Sequence, residues 1–382
     1  MRRRGFLMAA GAGLLAGACG IEGRGTPDDA RYWEGKRRNG RLSWANWPGY
    51  MQEDRATLKA FEQDTGIRVE YKEVIEENGP WFGRIQAPLA AGQPIGFDLM
   101  VMTNGVHLEK ARRLGYLAPL DHGRLPNFAA NSGLKNPTYD PGNKYTVPFV
   151  SGITGIAYNK RHVKGPVTSI EQLFDPRYKG RVGMMADPQE LGNLGLLALG
   201  VDPEKSTPDD WRRAAARLRA QRDGGIVRKY YTQDYIDAVS KGEVWLTMAW
   251  SGDAFTMAGP DVAFVVPEEG GTLWTDNLCI PRTARNPVDA LALMDWLYEP
   301  RNNALLTEYI NYISPVPATK ALVAADAAGA AGRERKDLQR LARSPLVFPE
   351  PHELERLSYF RRLDQDEEPV FQRTFEPIAR GA

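Results

Sequence analysis

The chain has only two cysteines in 382 residues, Cys19 and Cys279, and only four histidines, at positions 107, 122, 162 and 352. The cysteines stand far apart, one behind an apolar leader and one in the apolar stretch Leu278-Cys279-Ile280-Pro281. No disulfide is expected from that placement, and no metal-ligand spacing is present. The histidines are scattered and read as surface residues, and neither a His-Glu-x-x-His pair nor a Gly-x-Ser-x-Gly turn occurs. The sequence is therefore read as a non-enzyme without cofactor or metal. Charge of one sign is lacking too, with 49 Lys and Arg against 48 Asp and Glu. The slight basic excess rests on Arg2, Arg3 and Arg4. A nucleic-acid partner would need a clustered basic face, so none is expected. The leader carries an apolar run of roughly fourteen residues, too short to span a bilayer comfortably.

That leader, residues 1–19, combines a basic start, an apolar stretch and small residues before Cys19, as export signals do. Arg3-Arg4-Gly5-Phe6-Leu7 resembles the twin-arginine export signal. Ala16-Gly17-Ala18-Cys19 resembles a lipobox, which implies lipid attachment at Cys19, although Leu15 stands four residues before the cysteine where lipoboxes carry leucine three before it. An ordinary cleaved signal with an incidental cysteine is the alternative. Residues 20–40 are polar and glycine-bearing and are read as a flexible tether between the membrane and the folded body.

From residue 41 the chain is long enough for two lobes, each with its own core. Residues 41–50 read as a short strand ending in a turn at Pro48-Gly49, which places Trp47 and Tyr50 at a strand's carboxyl end. A helix from about 53 to 64, a strand at 67–74, a helical stretch around 81–89 and a strand at 98–102 follow. This alternation predicts an α/β fold with a mostly parallel sheet and right-handed crossovers. Thr103 follows the last strand and so falls on a cleft rim. The stretch 145–159 reads as a strand broken at Ser151-Gly152, crossing into a second lobe, and Tyr312 with 314–318 reads as a second crossover.

The segment 243–281 organises the rest. Two β-type runs, 244–250 and 262–267, are each followed by a polar stretch with a tryptophan near an acid: Trp250 with Asp253, and Trp274 with Asp276. An indole face beside a carboxylate is a receptor for a cation, since the ring quadrupole attracts an ammonium while the carboxylate accepts its hydrogen bonds. Taken singly, Trp250 and Trp274 are as easily core residues and Asp276 a turn cap. Asp187 precedes Pro188 as helix N-caps do, and Glu190 in the first turn suits the helix dipole, so by themselves both read as structural.

Taken together, NWPGY at 46–50, the helix-strand unit at 61–71, the run 98–102, residues 145–159 and 178–190, and the two tryptophan-acid segments resemble bacterial spermidine/putrescine-binding proteins, over roughly residues 41–320. The resemblance implies the type II periplasmic-binding-protein fold, two α/β lobes joined by hinge crossovers with a ligand cleft between them. The expected division is 41–149 with 276–318 for one lobe and 150–275 with 319–382 for the other. It also implies a polyamine ligand, an ABC permease as partner, an extracytoplasmic location with contact to the membrane only through a lipid anchor, and a monomer. The family's ligand positions match Trp47, Tyr50, Thr103, Asp187, Glu190, Trp250, Trp274, Asp276 and Tyr312, which makes a binding role for Asp187 and Glu190 the favoured reading. Departures stand at Gly49, where the family carries an acid, at Gly105, where it carries an aromatic, and at Arg361, whose charge would oppose a polycation if it faced the cleft. Asp253 could replace the lost acid but reads more simply as a solvated loop residue. Another small cationic or amino-acid-derived ligand is the alternative these departures motivate.

Overall fold

The computed structural model describes residues 29–257 and 259–380; the export motif and Cys19 lie outside them. In the first lobe the expected alternation is present: β1 (Arg41–Asn46), α1 (Ala56–Thr65), β2 (Arg68–Glu73), α2 (Asn78–Ala90), β3 (Leu99–Thr103) and α3 (Val106–Arg113). Strands β2 and β3 both pair parallel to β1, with Trp44 beside Tyr71 on one side and Leu99 on the other. Helix α1 turns Leu58 and Phe61 inward, as the spacing of those residues predicts. After the short α4 (Pro126–Asn131), the chain enters β4 (Thr146–Asn159), a 14-residue strand that leaves the lobe.

The second lobe follows with β5 (Val182–Met185), α5 (Pro188–Leu197), α6 (Pro208–Asp223), β6 (Val227–Tyr231), α7 (Tyr235–Ser240), β7 (Leu246–Trp250), α8 (Ser251–Met257) and β8 (Val262–Val265). Thr207 opens α6 with a reciprocal cap to Asp210. The chain returns through β9 (Gly271–Cys279) to α9 (Pro287–Trp296) and α10 (Pro300–Ile310), then runs through α11 (Thr319–Gly329), α12 (Gly332–Ala342), α13 (Pro351–Leu354), β10 (Leu357–Ser358) and α14 (Glu367–Ala379).

The main strand order is β2-β1-β3-β9-β4-β7-β5-β6. The antiparallel pair β4 and β9 therefore belongs to both lobes and joins them. A third segment runs alongside, where Ser151 and Ile313 exchange backbone hydrogen bonds of 3.0 and 2.8 Å. Each lobe has a core of its own. Trp44, Phe61, Met100 and Leu293 belong to the first, and Trp211, Leu218, Met248 and Phe375 to the second.

Four sequence expectations need correction. Strand β4 does not break at Ser151-Gly152; its register shifts between Pro148 and Val150, beside a proline that has no N–H for the ladder. Trp274 and Asp276 do not lie in a polar loop before a return strand. They lie inside β9, because the whole stretch is buried and pairs on both edges. Residues 29–39 are fastened to the first lobe and do not hang as a tether. Asp29 accepts from Arg282 at 2.7 Å, Lys144 at 2.8 Å and the Tyr145 hydroxyl at 2.9 Å, and Trp33 donates its indole N–H to Pro119 O at 2.8 Å. Finally, Val323, Leu341 and Val347 pack with Ala304 of α10, which sets α11 and α12 against a first-lobe helix. The end of the tail packs into the second core, through Leu363 before α14 and through Phe371, Phe375 and Ile378 of α14.

Candidate functional site

Between the lobes, where β1, β3, β7 and the α5 N-terminus point their ends at one another across the hinge strands, lies a narrow cavity of about 80 Å³. All nine residues expected from the sequence line it: Trp47, Tyr50, Thr103, Asp187, Glu190, Trp250, Trp274, Asp276 and Tyr312. Pro48, Asn78, Asn104, Gln189, Gln233, Asp253 and Phe360 complete the lining.

Its acids are held by neutral donors. Asp276 points from β9 toward the first lobe because residues 274 and 276 share a strand face. It accepts from the Tyr50 hydroxyl and from Thr103 Oγ1, both at 2.6 Å. Burial pushes its carboxyl up to about 6, against the lowering by those two hydroxyls. Glu190 enters from α5 and accepts at one oxygen from Thr154 Oγ1 at 2.8 Å and from the Trp250 indole N–H at 3.1 Å. Its other oxygen, Oε2, is buried with no hydrogen-bond partner. Burial, reinforced by the neighbouring Asp187 charge, pushes Glu190 up to about 8.

Asp187 both caps a helix and borders the cavity. Its Oδ1 caps α5 by accepting from the Gln189 and Glu190 N–H groups at 2.8 and 3.1 Å, and its side chain also lines the cavity. Asp253 corrects the simpler reading of a solvated loop aspartate. It sits on α8, lines the cavity, and accepts from the hydroxyls of Tyr235 and of Tyr312, the latter at 2.9 Å. Burial raises its carboxyl as well. Tyr235 was not singled out from the sequence. It is fully buried below Trp250 and stands edge-on to that indole at 5.7 Å between ring centres.

The aromatic wall is continuous. Trp250 and Trp274 meet edge to face at 6.2 Å, Trp274 and Tyr312 at 5.1 Å, and Tyr50 leans on Tyr312 at 5.9 Å. The Trp274 indole lies directly against the backbone of Gly152 on the paired strand, where a Cβ would come within 2.2 Å of the ring. Gly152→Ala therefore pushes the indole out of place. The expected result is a loss of ligand affinity of at least about tenfold by calorimetry with only a modest fall in melting temperature; unchanged affinity would show that the ring position is immaterial.

Arg361 does not face the cavity. Its guanidinium pairs with Glu367 at 2.6 Å and donates to Glu204 O at 3.1 Å, and the neighbouring Phe360 lines the cavity in its stead. Among the described lining residues none is Lys, Arg or His. Gly49 faces open space, so no side chain replaces the missing acid at that point.

Comparison with known proteins agrees with this architecture. Residues 56–332 match the bacterial extracellular solute-binding protein family. The spermidine/putrescine-binding periplasmic protein of Escherichia coli is 30% identical over 292 residues, 75% of this chain and 81% of that one. The putrescine/cadaverine-binding protein of Pseudomonas aeruginosa is 30% identical over 286 residues, 71% of this chain and 78% of its own. The solved spermidine/putrescine ABC transporter substrate-binding protein of Streptococcus pneumoniae superposes with a TM-score of 0.72 at 23% identity, covering 89% of this chain and 99% of that one. The two lobes, the paired hinge strands and the cavity between them are those of a substrate-binding transport protein and not of an enzyme, and the chain belongs to the bacterial extracellular solute-binding proteins.

Proposed function

We propose that the protein is an extracytoplasmic receptor that captures a linear polyamine, spermidine or putrescine, and delivers it to an ABC permease. The observation that carries this reading is the lining of the cavity: four carboxylates, a continuous aromatic wall and no basic residue. A polyamine presents ammonium groups separated by short methylene chains. It needs acids at spaced points and flat apolar surfaces between them. Asp276, Glu190 and Asp253 come from three different elements and have only hydroxyl and indole donors as partners. An ammonium beside any of them gains charge-assisted bonds of roughly 1.5–3 kcal/mol each. The indoles cover the methylenes and add roughly 0.5–2 kcal/mol for each well-placed amine. Asp253 supplies the acid that Gly49 lacks, from the opposite lobe. The receptor acts as a monomer, tethered to the outer face of the membrane by a lipid on Cys19.

A second reading keeps the receptor but gives it another small cation, on the ground that positions 49 and 105 carry no side chain. Calorimetry on the exported chain, unfolded and refolded to strip carried-over ligand, separates the two. The expected result is submicromolar binding of spermidine or putrescine and no heat from a neutral sugar. Silence from every polyamine, with the protein demonstrably folded, would leave the second reading.

A further inference from the structure

We infer that Gln189 is the wall that sets how long a ligand the cavity accepts, an inference that rests on the polyamine reading. Gln189 lines the narrow cavity of about 80 Å³ and also a wider groove of about 1110 Å³ immediately outside it. It stands at the second position of α5, in the lobe opposite α3, and its Oε1 accepts the Val106 N–H across the cleft at 3.1 Å. That hydrogen bond ties it to the free N-terminus of a helix, where unpaired N–H groups favour an acceptor.

The space it fills is vacated by Gly105. A Cβ at position 105 would meet both amide heteroatoms of Gln189 at 2.7 Å, so the glutamine side chain can lie there only because residue 105 has none. The backbone of Gly105, at φ 129°, reinforces the exclusion of a larger residue. On the inner side of Gln189 are Glu190, Asp253 and Asp276; on the outer side the groove is bordered by Glu76 and Glu77 and also by Lys110, Arg222, Arg228, Lys229 and Arg380, of which Lys110, Lys229 and Arg380 are paired with Glu368, Asp234 and Glu376. A short diamine or triamine ends against the glutamine. A longer polyamine would have to pass it, and beyond it would find carboxylates able to take a further ammonium.

The test is the ratio of dissociation constants for putrescine, spermidine and the tetraamine spermine, measured by calorimetry on the full exported chain and on Gln189→Ala and Gln189→Met. Gln189→Ala joins the cavity to the groove and is expected to shift the spermine-to-putrescine ratio toward spermine by about tenfold or more. Gln189→Met keeps the bulk without the amide and is expected to keep the wild-type ratio. An unchanged ratio in Gln189→Ala, or an equal shift in both variants, overturns the wall while leaving the receptor intact. Failure of the wild-type protein to bind any of the three amines removes the polyamine reading and the inference together.

Discussion

Asp276→Ala abolishes polyamine binding and leaves the protein folded. Asp276 accepts from Tyr50 and Thr103 and is almost completely buried, with 2% of its surface exposed. On the polyamine reading its charge would face an ammonium that has left water. Removing the acid leaves that ammonium without its counter-charge, and breaking a buried pair in this way costs roughly 3–5 kcal/mol, or about two to three and a half decades in affinity. The fold is spared because the carboxylate is itself an unfavourable burden: burial holds its pKa up at about 6. The two hydroxyls left behind are neutral. Asp276→Asn retains the shape and the hydroxyl partners, so its affinity should fall almost as far, separating charge from packing. Calorimetry and a melting curve on the same samples check both halves. Near-wild-type affinity in either variant would remove Asp276 from the ligand-binding set.

Much of the cavity could be read from the chain because strands deliver their last residues to the cleft. Trp47, Tyr50, Thr103 and Trp250 follow or end recognisable β-runs, and Asp187 and Glu190 open a helix behind another, so their neighbourhood is fixed by topology once the lobes are recognised. Trp274 and Asp276 reach the same cavity by another route. They are alternate residues on one face of a strand paired on both edges, and a fully buried strand shows no polar alternation to mark it. Gln189 was not legible, because a glutamine next to a proline and an aspartate reads as the ordinary first turn of a helix. Its position shows only when Gly105, 84 residues earlier, is brought against it. Phe360 and Arg361 illustrate the same limit. After the long tail helices only the tertiary fold decides which of two adjacent side chains turns inward, and the apolar one does while the arginine finds Glu367 outside. Asp253 escaped because a lone acid after Ser-Gly has the local signature of a surface loop, whereas its two tyrosine donors come from residues 235 and 312. The fastening of residues 29–39 depends on Asp29 meeting Lys144 and Arg282, a long-range cluster that composition alone does not reveal.

Raising the pH tightens ligand binding while it loosens the ligand-free protein, and Glu190 links the two. Its carboxyl stands at about 8 because of burial and the adjacent Asp187, and its Oε2 has no partner. At pH 7 it is therefore mostly protonated in the ligand-free protein, and an ammonium placed against it must displace that proton. From pH 6 to 7 the association constant should rise by close to tenfold, as nearly one proton is released, and by less from 7 to 8 as Glu190 itself ionises. Below about 6 the rise should be steeper, because Asp276 then releases a proton as well. Above about 8 the curve should flatten until the amines themselves deprotonate near 10. The effect on stability has the opposite sign. Between the ordinary glutamate value and about 8 the folded state holds more protons on Glu190 than the unfolded state does. Its contribution is fully present below that ordinary value and is lost as pH rises through about 8. Glu190→Gln removes the titration while keeping an acceptor for Thr154 and Trp250. Its melting temperature should exceed that of the wild type at pH 8.5, by an amount on the order of a few kcal/mol in stability, and the difference should shrink toward pH 5. The same variant should bind polyamine at least about a hundredfold more weakly, and its affinity should lose the one-proton slope between pH 6 and 7. Calorimetry in buffers of different ionisation enthalpy counts the released proton directly. A proton count near zero at pH 7 for the wild type would show that Glu190 is already charged before the ligand arrives.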